Sequence, residues 1–134
     1  PSIVAGGGSP EAYLSTELNE WAGSYDGREQ LAMKQYAEAL EAIPLIIAEN
    51  AGMDPIDTII ALRANQSSGK QTMGINAKEG KIGNMFSLDI VEPLAVKEQI
   101  IKSSTEAACM ILRIDDVIAV SGGPGAGGGM PPMG

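Results

Sequence analysis

IVAGGGSPE, residues 3–11, joins an apolar stub to the start of a helix through three consecutive glycines. Glycine lets a backbone turn sharply or come close to a ligand. Ser9 reads as a helix N-cap, with Pro10 at the first helical position and Glu11 behind it. A loop-to-helix junction of this kind is normally internal, so the expectation is a chain cut at a working joint.

Helices follow from this joint. In the first, opened by Ser9, Leu14, Leu18 and Trp21 share a face, and the glycines at 23 and 27 end it. A second begins near Gly27, with Ala32, Tyr36, Ala39, Leu40 and Ile43 as its apolar stripe and Glu29, Lys34, Glu38 and Glu41 mostly opposite. Pro44 is expected to kink or break it, leaving a short apolar helix that runs towards Asn50 and stops at Gly52. Asp54, Pro55 and Asp57 then combine a cap, a first-turn proline and an acid suited to the helix dipole. Ile56, Ile59 and Ile60 are its expected buried face, and Ser67, Ser68 and Gly69 its end.

Residues 70–91 change character, with glycines at 74, 80 and 83 between short segments, and read as a hairpin or irregular loop. Pro93 opens the longest helix, with Leu94, Ile101, Ala108 and Leu112 at helical spacing; at ~1.5 Å per residue it reaches roughly 30 Å. Residues 117–120 read as a terminal β-strand needing a partner from elsewhere. From Ser121 onward glycine, proline and methionine dominate, and a disordered tail is expected. The fold class is mainly α, with a small hairpin and a C-terminal strand.

Composition narrows the function. The 134 residues suffice for one hydrophobic core. A net charge of -8 argues against nucleic acid as a partner, because phosphate-backbone binders cluster Lys and Arg on one face. There is no histidine, which removes Ser/His/Asp and Cys/His catalysis and the usual zinc sites, and no metal site is expected. The single Cys109 sits among Ala107, Ala108, Met110 and Ile111, where a buried small hydrophobe fits, and points to a reducing cytosol. The longest strongly apolar run, residues 43–48, is far short of the ~20 residues that span a bilayer, and no secretory signal is visible. A soluble cytoplasmic protein with no membrane partner is expected.

Few residues carry chemistry. Walker spacing needs a lysine that residues 6–11 lack, and the dinucleotide fingerprint fails because Glu11 occupies the third glycine position and no proper strand precedes the glycines. A tight turn is therefore the favoured reading of the triplet, although amides at a helix start can meet a nucleotide. Asn76 could read a base edge with Ala77 admitting a flat ring, while turn chemistry explains Asn76 equally well. Glu92 precedes Pro93, where interaction with the helix dipole is its default role and acceptance of hydrogen bonds from ribose hydroxyls its functional one. Adjacent Asp115 and Asp116 point about 100 degrees apart on a helix and make a poor acid–base pair. Met130 and Met133 in the tail could touch an apolar client.

Taken in order, several blocks resemble the C-terminal part of a group II chaperonin subunit, most similar to the archaeal thermosome. These are Val4 to Gly8 with the acid Glu11, Glu29 to Ala32, Ala37 to Pro44, AENAGMD at 48–54, residues 80–85, EPLAVK at 92–97, and residues 104–108 leading into ILRIDDVI from Ile111. The resemblance covers nearly the whole chain. It implies that residues 1–120 are the C-terminal part of the helical equatorial domain, which in the family binds ATP and carries most ring contacts, with 121–134 a flexible tail projecting into the central cavity. By position, Gly7 and Gly8 match the family's glycine loop beside the nucleotide, Asn76 and Ala77 its adenine contacts, and Glu92 its ribose contact. Asn76 and Asn84 depart from acids common among group II relatives.

The resemblance further implies ATP or ADP with Mg2+ in the intact subunit, and a double ring of neighbouring subunits that encloses unfolded protein clients. The family's phosphate loop and catalytic aspartates would lie in segments preceding Pro1, so this chain alone is expected neither to hydrolyse ATP nor to hold the metal. The competing reading is a non-enzymatic helical interaction or scaffold fragment with no nucleotide.

Overall fold

The computed structural model describes residues 2–121. Eight elements follow in order: β1 (Ile3–Ala5), α1 (Ser9–Ala22), α2 (Gly27–Asn50), α3 (Pro55–Ser67), β2 (Met73–Asn76), β3 (Lys81–Asn84), β4 (Val91–Pro93) and α4 (Leu94–Ser121). The chain divides into two units, Pro1–Ile101 and Lys102–Gly134. All of the strands and the first three helices belong to the first.

In that unit α1 and α2 pack along each other, and alanines allow the close approach. Ala12, Ala22, Ala37 and Ala48 are all buried, and the Ser15 hydroxyl donates to Ala37 O at 2.7 Å across the seam. Ala12, Ile59 and Leu62 form one buried apolar cluster, with Leu45, Met73 and Ile82 packed on it. The expected face Leu14, Leu18 and Trp21 lines an open apolar groove with Tyr36, Leu40 and Ile101, and Trp21 remains 60% exposed.

Capping follows the sequence in two places. Asp54 Oδ1 accepts from Asp57 N at 2.9 Å at the start of α3. At the end of α2, Gly52 adopts φ 76°, its N–H meets Glu49 O at 3.0 Å and Met53 N–H meets Ala48 O at 2.9 Å. That pair of bonds is a Schellman motif. At α1 the cap shifts by one residue: Gly8, at φ 74°, occupies the N-cap, and the buried Ser9 hydroxyl instead donates to Gln71 O at 2.8 Å.

Pro44 does not break α2, which runs through it to Asn50. An internal proline costs roughly 3 kcal/mol through its missing N–H and its clash with the preceding turn. Here its ring is fully buried against Gly8, where a Cβ would stand 2.8 Å from Pro44 Cβ, and burial of the ring offsets part of that cost. The apolar stripe also turns. Ala37, Leu40, Pro44 and Ala48 are buried, while Ala39 and Ile43 face outward. In α3 only Ile59 of the three isoleucines is buried, beside Thr58, Leu62 and Gln66; Ile56 and Ile60 are exposed, because the buried face is rotated around the helix and Ile59 stands at its edge, with Ile56 and Ile60 beyond that edge.

Residues 70–91 contain the expected hairpin, β2 against β3, with Met73 opposite Asn84 and Asn76 opposite Lys81. A second antiparallel pair has no counterpart in the sequence reading: β1 pairs β4, Val4 opposite Glu92. Bonds from Leu94 N to Ser2 O, 3.0 Å, and from Gly6 N to Ile90 O, 2.8 Å, extend it at both ends. A strand therefore does precede the glycines. Three-residue strands show no alternation long enough to detect, and their partners lie far apart in the chain.

In the second unit the expected strand at 117–120 is helical, as part of α4. A strand without a partner leaves its backbone groups unpaired, whereas a helix satisfies them within itself. Cys109, expected to be buried, is exposed. Residues 122–134, with Met130 and Met133, lie outside the described residues, as do the side chains of Asp115 and Asp116.

Two glycines with the same handedness separate backbone strain from crowding. Gly7→Ala adds a left-handed φ of 63° to a Cβ placed 2.5 Å from Met85 Sδ and 2.6 Å from Ile75 O, whereas Gly52, at φ 76°, has nothing within 4 Å. Urea denaturation is expected to show Gly52→Ala losing about 1 kcal/mol and Gly7→Ala at least about 3 kcal/mol.

Candidate nucleotide groove and the charge triad beside it

The glycine loop is fixed from two sides. Gly7 O accepts from Ile75 N at 2.9 Å in β2, and Gly6 N reaches Ile90 O. The approach is so close that β2 needs a glycine too: a Cβ at Gly74 would lie 2.8 Å from Gly6 O. Close packing thus accounts for the absence of a side chain at Gly7. The Gly7 N–H itself makes no backbone hydrogen bond among the described residues.

Beside this contact runs a groove of about 500 Å³. Gly7, Asn76 and Ala77 line it, with apolar walls from Ile47, Ile75, Leu88 and Ile90, and with Lys78 and Glu79 at the hairpin turn. Its volume falls among small-molecule sites, roughly 300–1,000 Å³. Asn76 is 5% exposed, and its Oδ1 accepts from Glu79 N at 3.3 Å, which is the turn chemistry weighed for it. That leaves Nδ2 without a partner among the described residues. A free side-chain amide, a small neighbour and apolar walls fit a flat heterocycle with acceptor nitrogens. Gly8 and Glu92 are not among the lining residues. Gly8 packs on Pro44, and Asn84 Oδ1 serves its turn by accepting from Phe86 N at 3.1 Å.

Glu92 belongs to a different cluster. Its Oε2 pairs with Lys97 Nζ at 2.7 Å, and the same ammonium pairs with Glu11 Oε1. Burial pushes the Lys97 ammonium down, but hydrogen bonds to Glu11 and Glu92 and the charge of both carboxylates outweigh it, so its pKa stands above the ordinary lysine value. Sequence reading singled out Glu92 and passed over Lys97, Gly74 and the isoleucine walls. Lys97 stands in the EPLAVK block, but its bond to Glu11 spans 86 residues, and nothing local announces it. Among the described residues, no group of three or more His, Cys, Asp or Glu converges on a metal site, and no helix is long and apolar enough to cross a membrane.

The model of the TCP-1/cpn60 chaperonin family matches residues 1–121. The chain belongs to that family. It is 49% identical to thermosome subunit beta of Archaeoglobus fulgidus over 98% of its length, and 53% identical to thermosome subunit alpha of Halobacterium salinarum over 87%. It spans 25% and 21% of those relatives. Among solved structures, the open-state monomer of a group II chaperonin from Methanococcoides burtonii matches with a TM-score of 0.77 and 48% identity, over 83% of this chain and 28% of that one. The mostly helical fold with small strands is thus that of part of a group II chaperonin.

The triad gives the fold a pH dependence. A lysine whose folded pKa exceeds its unfolded value contributes stability that is complete below about 10.5 and is lost as pH rises through the folded value. Melting temperature is expected to fall on that alkaline limb, and Lys97→Met to remove the part of the slope that Lys97 supplies, measured by thermal denaturation from pH 8 upward.

Proposed function

We propose that the chain works as part of an ATP-dependent chaperonin subunit that folds non-native proteins inside a ring in the cytoplasm, and that it supplies the adenine and ribose side of the nucleotide site. The single observation that carries this reading is family membership along residues 1–121. The groove shared by Gly7, Asn76 and Ala77, the positions that match the family's glycine loop and adenine contacts, adds support.

In this reading Asn76 Nδ2 donates to the base edge, Ala77 leaves room for the ring, and the apolar walls exclude water from its faces. Glu92, 45% exposed at its side chain, accepts from sugar hydroxyls. Gly7 presents its N–H beside the nucleotide. Bound ATP supplies a hydrolysable phosphoanhydride whose cleavage can shift a two-state ring between open and closed forms. The phosphate and magnesium contacts are assigned to the rest of the subunit.

Exposed apolar side chains support contacts with that remainder and with neighbouring subunits. Trp21, Ile56, Ile60 and Val96 are each more than half exposed. Ile56 and Ile60 stand one turn apart on α3, where a partner can cover them together.

Calorimetric titration of the complete subunit tests the assignment. Asn76→Ala is expected to weaken ATP binding about fivefold and Glu92→Ala about tenfold or more, the scale of one neutral and one charge-assisted hydrogen bond. Melting temperatures should move little in comparison. Unchanged ATP affinity in both variants would overturn the reading.

A further inference from the structure

Two strand-to-helix junctions stand side by side at the β1–β4 pair. One passes from β1 through the glycine triplet into α1, the other from β4 directly into α4. Lys97, in the first turn of α4, bridges them by pairing with Glu11 of α1 and Glu92 of β4. The Lys97 side chain is 12% exposed and that of Glu11 only 5%.

This is a poor place for a lysine on local grounds. The start of a helix repels a cation, and burial strips the ammonium of water. A buried ion pair is also seldom more stable than apolar residues of the same volume. What the arrangement does provide is direction. Lys97 holds Oε2 of Glu92 and leaves Oε1 with no partner among the described residues, while Glu11 keeps a second oxygen, Oε2, buried and unpartnered. One ammonium is shared by two carboxylates, of which only Glu92 reaches solvent.

We propose that Lys97 is the positioning residue of the sugar contact. It fixes Glu92 so that the free oxygen accepts from ligand hydroxyls, and through Glu11 it ties that carboxylate to α1, at whose start Gly7 and Gly8 stand. The inference rests on the reading of Glu92 as the ribose acceptor. When hydroxyls draw on Glu92, Lys97 can shift towards the spare Glu11 oxygen, so the two junctions respond together.

The test compares binding of ATP, 2′-deoxy-ATP and 3′-deoxy-ATP to the complete assembled subunit by calorimetry. Wild type is expected to prefer ATP. K97M should lower that preference about tenfold, the scale of a hydrogen bond to a charged acceptor, with the deoxy analogues bound nearly as before, and K97R should restore most of it. A purely structural lysine would weaken all three nucleotides by one common factor and leave their ratios alone; that result overturns the proposal. Because K97M strands the buried Glu11 charge, E11Q/K97M carries the same measurement with the same expectation. E92Q separates the two levels. Unchanged ratios in E92Q overturn the ribose reading itself, whereas collapsed ratios in E92Q with intact ones in E11Q/K97M overturn only the role of Lys97.

Discussion

The backbone contact between Gly7 and Ile75 is the constraint on which the rest of the first unit depends. The carbonyl of one residue meets the amide of the other at 2.9 Å, and a Cβ at Gly7 would fall within 2.6 Å of Ile75 O. Such closeness is possible only between glycine-bearing segments, and Gly74 supplies the second one against Gly6. Once the loop is seated there, α1 starts at a fixed point and Gly8 abuts Pro44 of α2. The groove then opens between the loop and the hairpin turn. The glycines are steric requirements first, and the chemistry proposed for the groove makes use of an amide that this packing leaves unpaired.

The second organising element is electrostatic. Lys97 is neutralised by two carboxylates from different elements, and each partner differs in its access to water. Glu11 is enclosed and ties α1 to the start of α4; Glu92 stays partly open to solvent. Because the ammonium is shared, the enclosed and the open carboxylate are coupled through one atom. The β1–β4 pair carries this cluster, so three-residue strands matter more to the site than their length suggests.

Much of the local architecture was legible in the sequence, because its signals act within one turn. Asp54 and Asp57 cap α3, Gly52 closes α2 with a left-handed residue, and the glycines at 74, 80 and 83 mark a real hairpin. Misreadings came where a distant partner prevailed over a local preference. Ser9 spends its hydroxyl on Gln71 O, Pro44 sits inside a helix because Gly8 leaves room for it, and Ile56 and Ile60 face outward although their spacing suits a buried stripe. Three of the four residues 117–120 are β-branched yet the segment is helical, since a helix satisfies its backbone bonds within itself.

The sequence by itself determined the family, the order of the helices and the types of residue available to the site. Those follow from blocks of identity and from short-range rules of caps, glycines and periodicity. Only the tertiary structure decided which of those residues meet. It placed Gly7, Asn76 and Ala77 on one groove, set Gly8 and Glu92 apart from it, and joined Glu92 to Glu11 through a lysine that no motif singled out. The physical reason is range: hydrogen bonds that cap a helix span three or four residues, whereas the Lys97–Glu11 bond spans 86 and exists only after the chain has folded.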